Sequence, residues 1–171
     1  MVMENRTNEN LLQGNGLYGA FTLIELIVVI VIISIAAAMV VPMMSSAGDI
    51  QLRSAANKLA ADLEYAKSMA ISRGQTYTVV FDTTEDSYQI EDSSDTVITH
   101  PVRKGNYIEQ FGGTSTLSKV RISNANFNGG PSVTFESIGS PDNGGAVTLT
   151  AGNDTIIVNV EAVTGYISIS N

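Results

Sequence analysis

The stretch FTLIELIVVIVIISIAAAMVV, Phe21 to Val41, decides how this chain is organised: it is twenty-one residues long and holds one charged side chain, Glu25. As a helix rising about 1.5 Å per residue it spans roughly 31 Å, the thickness of a bilayer's hydrocarbon core. A cleavable secretory signal has a shorter apolar region, about 7–15 residues, that ends at a small-residue site. Here the uncharged core runs from Leu26 to Val41 and passes into a polar helical pattern, so the segment reads as a retained anchor. An ionisable side chain inside such a segment is costly and marks a functional site by default. The plain alternative for Glu25 is a carboxylate that snorkels to the membrane surface from one turn inside the helix.

Immediately around this start, Gly19-Ala20-Phe21-Thr22-Leu23-Ile24-Glu25-Leu26 resembles the processing site of type IV pilins and type II secretion pseudopilins. In that family a prepilin peptidase cuts before Phe or Met, the new terminus is N-methylated, and the fifth mature residue is Glu. The resemblance therefore implies cleavage between Ala20 and Phe21, N-methylation of Phe21, and an assembly role for Glu25, the fifth residue from the cut. The family residue before the cut is nearly always Gly. Here Ala20 takes that place with Gly19 one step back, and a cut after Gly19 would leave Glu25 sixth. Pro42 falls where many members of the family carry a proline; by removing an i to i−4 bond it is expected to bend or loosen the helix.

Upstream, residues 1–20 form a polar, Asn-rich leader with Glu4, Arg6 and Glu9. Arg6 before the apolar stretch and Arg53 after it lie at similar distances, so the distribution of cations gives no orientation. A cytoplasmic leader and an external C-terminal part follow from the resemblance alone.

Downstream of Ser45-Ser46-Ala47-Gly48, a second helical pattern begins, with Asp49 placed to act as N-cap or first-turn anion. Leu52, Ala56, Leu59, Leu63, Ala66 and Ala70 recur at spacings of four and three and form one apolar stripe. Arg53, Asn57, Lys58, Asp62, Glu64 and Lys67 fall elsewhere. Arg73 and Gly74 supply a C-terminal cation and a left-handed cap. From Thr76 the period changes to two: Tyr77, Val79 and Phe81 alternate with Thr78, Val80 and Asp82, and a polar turn leads to Tyr88-Gln89-Ile90, a hairpin pattern. Further short strands are expected at Thr96–Thr99, Lys119–Ser123, Ser132–Glu136, Ala146–Thr150, Thr155–Glu161 and Tyr166–Ser170. The weakly patterned stretch from Val102 to Leu117 reads as an exposed loop.

Composition narrows the function. From Gln75 onward there are four basic and eleven acidic residues, a net −7 within the chain's overall −8, which disfavours a nucleic acid partner held through its phosphates. Cysteine is absent, which excludes disulfides and thiolate metal sites. His100 is the single histidine and reads as structural or exposed. Asp82, Glu85, Asp86, Glu91, Asp92 and Asp95 cluster around a hairpin but lack the ordered spacing of a calcium loop, so they read as a solvated acidic face. Arg103-Lys104 and Lys119 with Arg121 form a small basic pair of sites. No catalytic residue, cofactor or metal is expected, and the chain reads as a non-enzyme.

The stretch Leu52 to Ile71, LRSAANKLAADLEYAKSMAI, further resembles the helix of the GspH/FimT branch of the same family, with Lys67 in place of the usual Arg. Val133-Thr134-Phe135 with Gly139, Gly144 to Leu149, and Thr164-Gly165-Tyr166-Ile167 resemble that branch's C-terminal β region. The fold implied is α+β and pilin-like: a long N-terminal helix, half membrane-spanning and half amphipathic, packed on a C-terminal antiparallel β-sheet domain. Its segments are 1–20 (leader), 21–43 (transmembrane and filament-core helix), 44–74 (amphipathic helix) and 75–171 (β domain). The function implied is a minor pseudopilin of type II secretion near the filament tip, in a chain anchored in the inner membrane with its domain in the periplasm. The implied partners are other pseudopilins or pilins, the prepilin peptidase and an inner-membrane assembly platform. Two alternatives stand: a minor type IV pilin in pilus initiation, adhesion or DNA uptake, and a signal-anchored β-rich binding protein or hydrolase.

Overall fold

The computed structural model describes residues 21–113 and 115–171, with the side chains of 38–46 outside the described set. Gly19, Ala20 and the rest of the leader lie outside the described residues. The elements in chain order are a helix, α1 (Leu23–Arg73), and eight strands: β1 (Tyr77–Asp82), β2 (Ser87–Glu91), β3 (Ile108–Gln110), β4 (Arg121–Asn126), β5 (Ser132–Phe135), β6 (Gly145–Ala151), β7 (Asp154–Val160) and β8 (Ile167–Ser170).

The start of α1 is set by Thr22, whose hydroxyl accepts the Glu25 N–H at 3.2 Å. Thr-x-x-Glu is the pattern of a capping box, and the Glu25 carboxylate also lies at the positive end of the helix dipole. The other end closes on Gly74, whose φ of 64° is left-handed, with the Gly74 and Gln75 N–H groups both donating to the Ala70 carbonyl at 2.9 and 3.3 Å. Between these ends the helix runs through Pro42 and through Ser45 to Gly48. Asp49 is therefore not a cap: it sits inside the helix and pairs with Arg53 one turn on, at 3.1 Å.

Two compact units divide after Val40. In the first, the described side chains from Phe21 to Ala37 are all exposed. Among the described residues no helix is long and apolar enough to cross a membrane. The apolar sequence continues through 38–41, whose side chains are not described.

In the second unit, Leu52, Ala56, Leu59, Leu63, Ala66 and Ala70, together with Ala55, are fully buried. The stripe is thus the face that meets the sheets. Two four-stranded antiparallel sheets supply the rest of the core, one in the order β3-β2-β1-β5 and the other β4-β6-β7-β8. Alternation decides which side chains point inward: Val79, Phe81, Tyr88, Ile90, Val133 and Phe135 from the first sheet, and Ile122, Val147, Leu149, Ile156, Val158 and Val160 from the second. Val79 lies opposite both Ile90 and Val133, which fixes the first sheet's register. A one-residue slip would turn every one of these side chains to solvent.

Two segments differ from their sequence patterns. Thr96–Thr99 makes only isolated bridges, Val97 with Glu91 and Thr99 with Asn106. The stretch from Val102 to Leu117 is not an exposed loop, since it holds β3 and buries Tyr107, Glu109 and Phe111. Those three alternate as a strand should, but a carboxylate occupies the middle inward position and breaks the apolar signal.

Candidate functional site

Two places gather the residues that the sequence marks or that the fold makes unusual. One is the exposed apolar start of α1. Phe21, Leu23, Ile24 and Leu26 are each 60% exposed or more, which no ordinary monomer surface sustains over several turns. Polar groups there are satisfied within the helix: the Ser34 hydroxyl donates to the Ile30 carbonyl at 2.6 Å. Glu25 is the single acid on this surface and stands in its first turn. An apolar surface of this extent marks an interaction site.

The other is a buried polar network between α1 and the first sheet. Asp62 is buried on the helix, and its carboxylate accepts the Tyr88 hydroxyl at 2.6 Å, the Tyr107 hydroxyl at 3.0 Å and the Lys58 ammonium at 2.9 Å. Lys58 also reaches Glu109 Oε2 at 3.2 Å. Glu109 Oε1 meets no hydrogen-bond donor in good geometry but faces the Arg103 guanidinium and, at 3.5 Å, His100 Nε2. The Tyr107 ring contacts Tyr65 and His100 in stacked arrangements, with centroids 5.5 and 4.4 Å apart.

His100 Nδ1 accepts the N–H groups of Val102 and Arg103 at 3.1 and 3.2 Å, which leaves the ring's proton on Nε2, facing Glu109. Burial, then the Arg103 and Lys58 charges, hold the imidazole pKa below its ordinary value. Burial and then the Asp62 charge hold the Tyr88 hydroxyl well above the usual tyrosine range and push Tyr107 upward as well. Both phenols therefore stay protonated as donors. Each carboxylate is matched by cations and hydroxyls, so the arrangement clamps helix to sheet and presents no nucleophile with an adjacent free base.

The acidic residues around the hairpin do not converge. Asp82 caps the N–H groups of Thr84 and Glu85 at 2.8 and 3.0 Å, and Asp92 caps those of Ser94 and Thr96 at 2.9 and 3.2 Å. Asp86 is not part of a solvated face: it is buried and binds Arg121 and the Ile122 N–H. Among the described residues no group of three or more His, Cys, Asp or Glu could hold a metal ion. The basic sites are likewise dispersed, since Arg103 is drawn onto Glu109 and Arg121 onto Asp86. A cleft of ≈ 400 Å³ between Tyr65, Arg73, Tyr77 and Asp92 does not include the buried network.

Sequence reasoning placed Asp62 off the stripe and passed over Glu109, Tyr107 and the capping box. Asp62 had a readable signal, because it lies three residues after Leu59 and four before Ala66, in line with the buried face.

Comparison with known proteins gives the following. The family model for type II transport protein GspH matches residues 55–164, and that for the prokaryotic N-terminal methylation motif matches residues 18–41. The minor pseudopilin EpsH from the type 2 secretion system of Vibrio cholerae superposes with a TM-score of 0.54 at 10% identity, over 70% of this chain and 96% of that one. The type IV minor pilin FimU of Pseudomonas aeruginosa superposes with a TM-score of 0.51 at 17% identity, over 72% and 90%. At these identities the likeness is one of fold. No curated protein sequence matches the chain.

Proposed function

The chain belongs to the GspH family of type II transport proteins, and on that premise we propose that it is a minor pseudopilin, a structural subunit of the type II secretion filament that acts near its tip. The observation that carries this reading is the exposed apolar start of α1 with Glu25 as its single acid, in a stretch that matches the N-terminal methylation motif. A prepilin peptidase would cut between Ala20 and Phe21, and the methylated amine of Phe21 would then stand in an apolar environment. Glu25 of a neighbouring subunit neutralises it. Leaving lipid becomes less costly when two such charges meet in register than when either stays unpaired. Residues 21–43 would serve as anchor and filament core, with Pro42 easing the helix for packing, and residues 44–171 would stand in the periplasm. Other pseudopilins and an inner-membrane assembly platform are the partners.

The superposition on FimU supports a second reading, a minor type IV pilin that works in pilus initiation or adhesion. Its DNA-uptake version is weakened by the net −7 of the residues from Gln75 onward and by the engagement of Arg103 and Arg121 in ion pairs.

Intact-mass and N-terminal analysis of the protein from its host's membranes tests both readings. A chain starting at N-methylated Phe21 is the expected result. A chain starting at Met1, in a host with an active prepilin peptidase, would overturn the filament role and restore the signal-anchored binding protein.

A further inference from the structure

The two sheets end in four edge strands, and three of them are closed by devices that the chain itself carries. β3 is three residues long and turns its central Glu109 inward. β4 is bulged between Ile122 and Asn124, and Asp86 takes its Ile122 N–H. β5 is covered by the segment that follows it: the Thr134 N–H donates to the Asp142 carboxylate at 2.9 Å, and the Asp142 N–H donates to the Thr134 carbonyl at 2.8 Å. Short length, inward charges, bulges and covering loops are the usual means of blocking an edge.

Apart from its length of four residues, β8 has none of them. Ile167-Ser168-Ile169-Ser170 carries no charge, no proline and no bulge. Its register fixes which backbone groups are open. Glu161 donates its N–H to the Tyr166 carbonyl at 2.9 Å, and Ile167 and Ile169 lie opposite Val160 and Val158. In an antiparallel pair, bonded and non-bonded positions alternate. Ser168 and Ser170 therefore bond to β7, while the N–H and C=O of Ile167 and Ile169 point away from it. Among the described residues no strand lies on that side. Beside the edge is a cavity of ≈ 160 Å³ bounded by Arg53, Ala56 and Asn57 of α1 and by Ile156, Ile169 and Asn171. It is smaller than the about 300–1,000 Å³ of a small-molecule pocket and suits a single side chain. Tyr166, 65% exposed, flanks the start of the strand.

We propose that β8 is a docking edge: an extended segment of a different pilin-like subunit adds to the second sheet as its fifth strand, bonds to Ile167 and Ile169, and places one aliphatic side chain in the cavity beside α1. The identity of the occupant rests on the filament reading above. A second copy pairing β8 with β8 would need a two-fold axis normal to the sheet, which sets the two sheet-packed helical segments in opposite directions. Subunits that all enter a filament from one membrane by the same end of α1, as the reading above has it, run the same way.

The chain lacks cysteine, so Ser170→Cys gives it a unique thiol on the open face of β8. In host envelopes, a thiol-to-amine cross-linker is expected to join this variant to a pilin-like subunit. Adding Ile169→Pro, which removes an N–H that the fold does not use, should reduce the adduct about tenfold or more, as the loss of a buried hydrogen bond does. An adduct indifferent to Ile169→Pro, or no adduct although the chain is recovered in filaments, overturns the docking edge. An adduct with a non-pilin protein that Ile169→Pro abolishes keeps the edge but overturns the pilin-like occupant, and the N-terminal analysis above separately decides the filament reading. If Ile169→Pro fails to fold, amide exchange of the wild-type chain decides. Ile167 and Ile169 should exchange fast in detergent and slowly in the envelope complex, with Ser168 and Ser170 slow in both; unchanged rates at Ile167 and Ile169 overturn the proposal.

Discussion

Asp86 and Ile122 join the two sheets: the carboxylate at the end of the β1–β2 turn accepts the backbone N–H of Ile122 in β4 at 2.8 Å, across 36 residues of sequence. The same carboxylate binds Arg121 at 2.6 Å, and the Asp86 carbonyl accepts the Phe111 N–H at 2.8 Å. One residue thereby ties β4 and the end of β3 to the first hairpin. Its φ of 51° is left-handed, which Asp and Asn tolerate better than other non-glycine residues.

Asp86→Ala should therefore cost about 2–3 kcal/mol, because it leaves a buried N–H without an acceptor. Asp86→Asn keeps an acceptor and the backbone preference, and should recover most of that loss. Denaturant titration of both variants in detergent checks the order. Equal midpoints for wild type and Asp86→Ala would show that the two sheets hold together without this contact.

Asp62 makes a stronger demand. Asp62→Ala strands the hydroxyls of Tyr88 and Tyr107 in the interior and leaves the partly exposed Lys58 ammonium with Glu109 alone, at a cost of about 2–4 kcal/mol for two buried donors without an acceptor. Replacing Asp62 and Lys58 together by Leu and Met should be milder than Asp62→Ala alone, since Leu fills the space that Ala leaves empty and Arg103 still faces Glu109. A double variant no more stable than Asp62→Ala would mean that the hydroxyls and Glu109, not Lys58, dominate the network.

The pH dependence follows from His100. Its folded pKa lies below the ordinary 6.5, chiefly through burial, so the folded state binds fewer protons than the unfolded chain in the interval beneath that value. Stability contributed by the neutral ring is fully present above pH 6.5 and is lost as pH falls through the lowered pKa. Protonation also places a hydrogen on Nδ1, which displaces the N–H groups of Val102 and Arg103. His100→Asn offers a side-chain carbonyl to the same two donors and does not titrate. It should match wild type near pH 8 and lose less stability than wild type on acidification. Parallel stability profiles for the two proteins would remove the ring from the acid response.

What the sequence made legible is what periodicity carries. The Phe21 to Val41 run, the stripe from Leu52 to Ala70 and the alternation from Tyr77 to Phe81 are each repeated patterns, and the family strings ride on them. The network was hidden because its members break those patterns. Glu109 interrupts the alternation of Tyr107 and Phe111, and its partners Lys58, His100 and Arg103 come from two separate stretches of chain. Asp86 looked like one more turn acid, since nothing local reveals that Arg121 and Ile122 lie beside it. Thr22 is hard to read for a different reason: the Thr-x-x-Glu box lies inside the family string, which accounts for Glu25 by itself.

That double account of Glu25 can be separated. As a first-turn acid it stabilises α1 by roughly 0.3–1 kcal/mol through the helix dipole, an effect that does not need a second subunit. As the counter-ion of a neighbour's terminal amine, it acts only between subunits. Glu25→Ala should leave membrane insertion intact or improve it, because removing a charge from an apolar segment favours lipid. Its incorporation into filaments should fall sharply in a host that also makes the wild-type partners. Glu25→Asp keeps the charge and the dipole interaction but shortens the reach, so it should restore the helix start and only part of the assembly. Comparing the filament and membrane fractions of the three chains checks both roles. Full incorporation of Glu25→Ala would remove the pairing role and leave Glu25 as a helix-start residue alone.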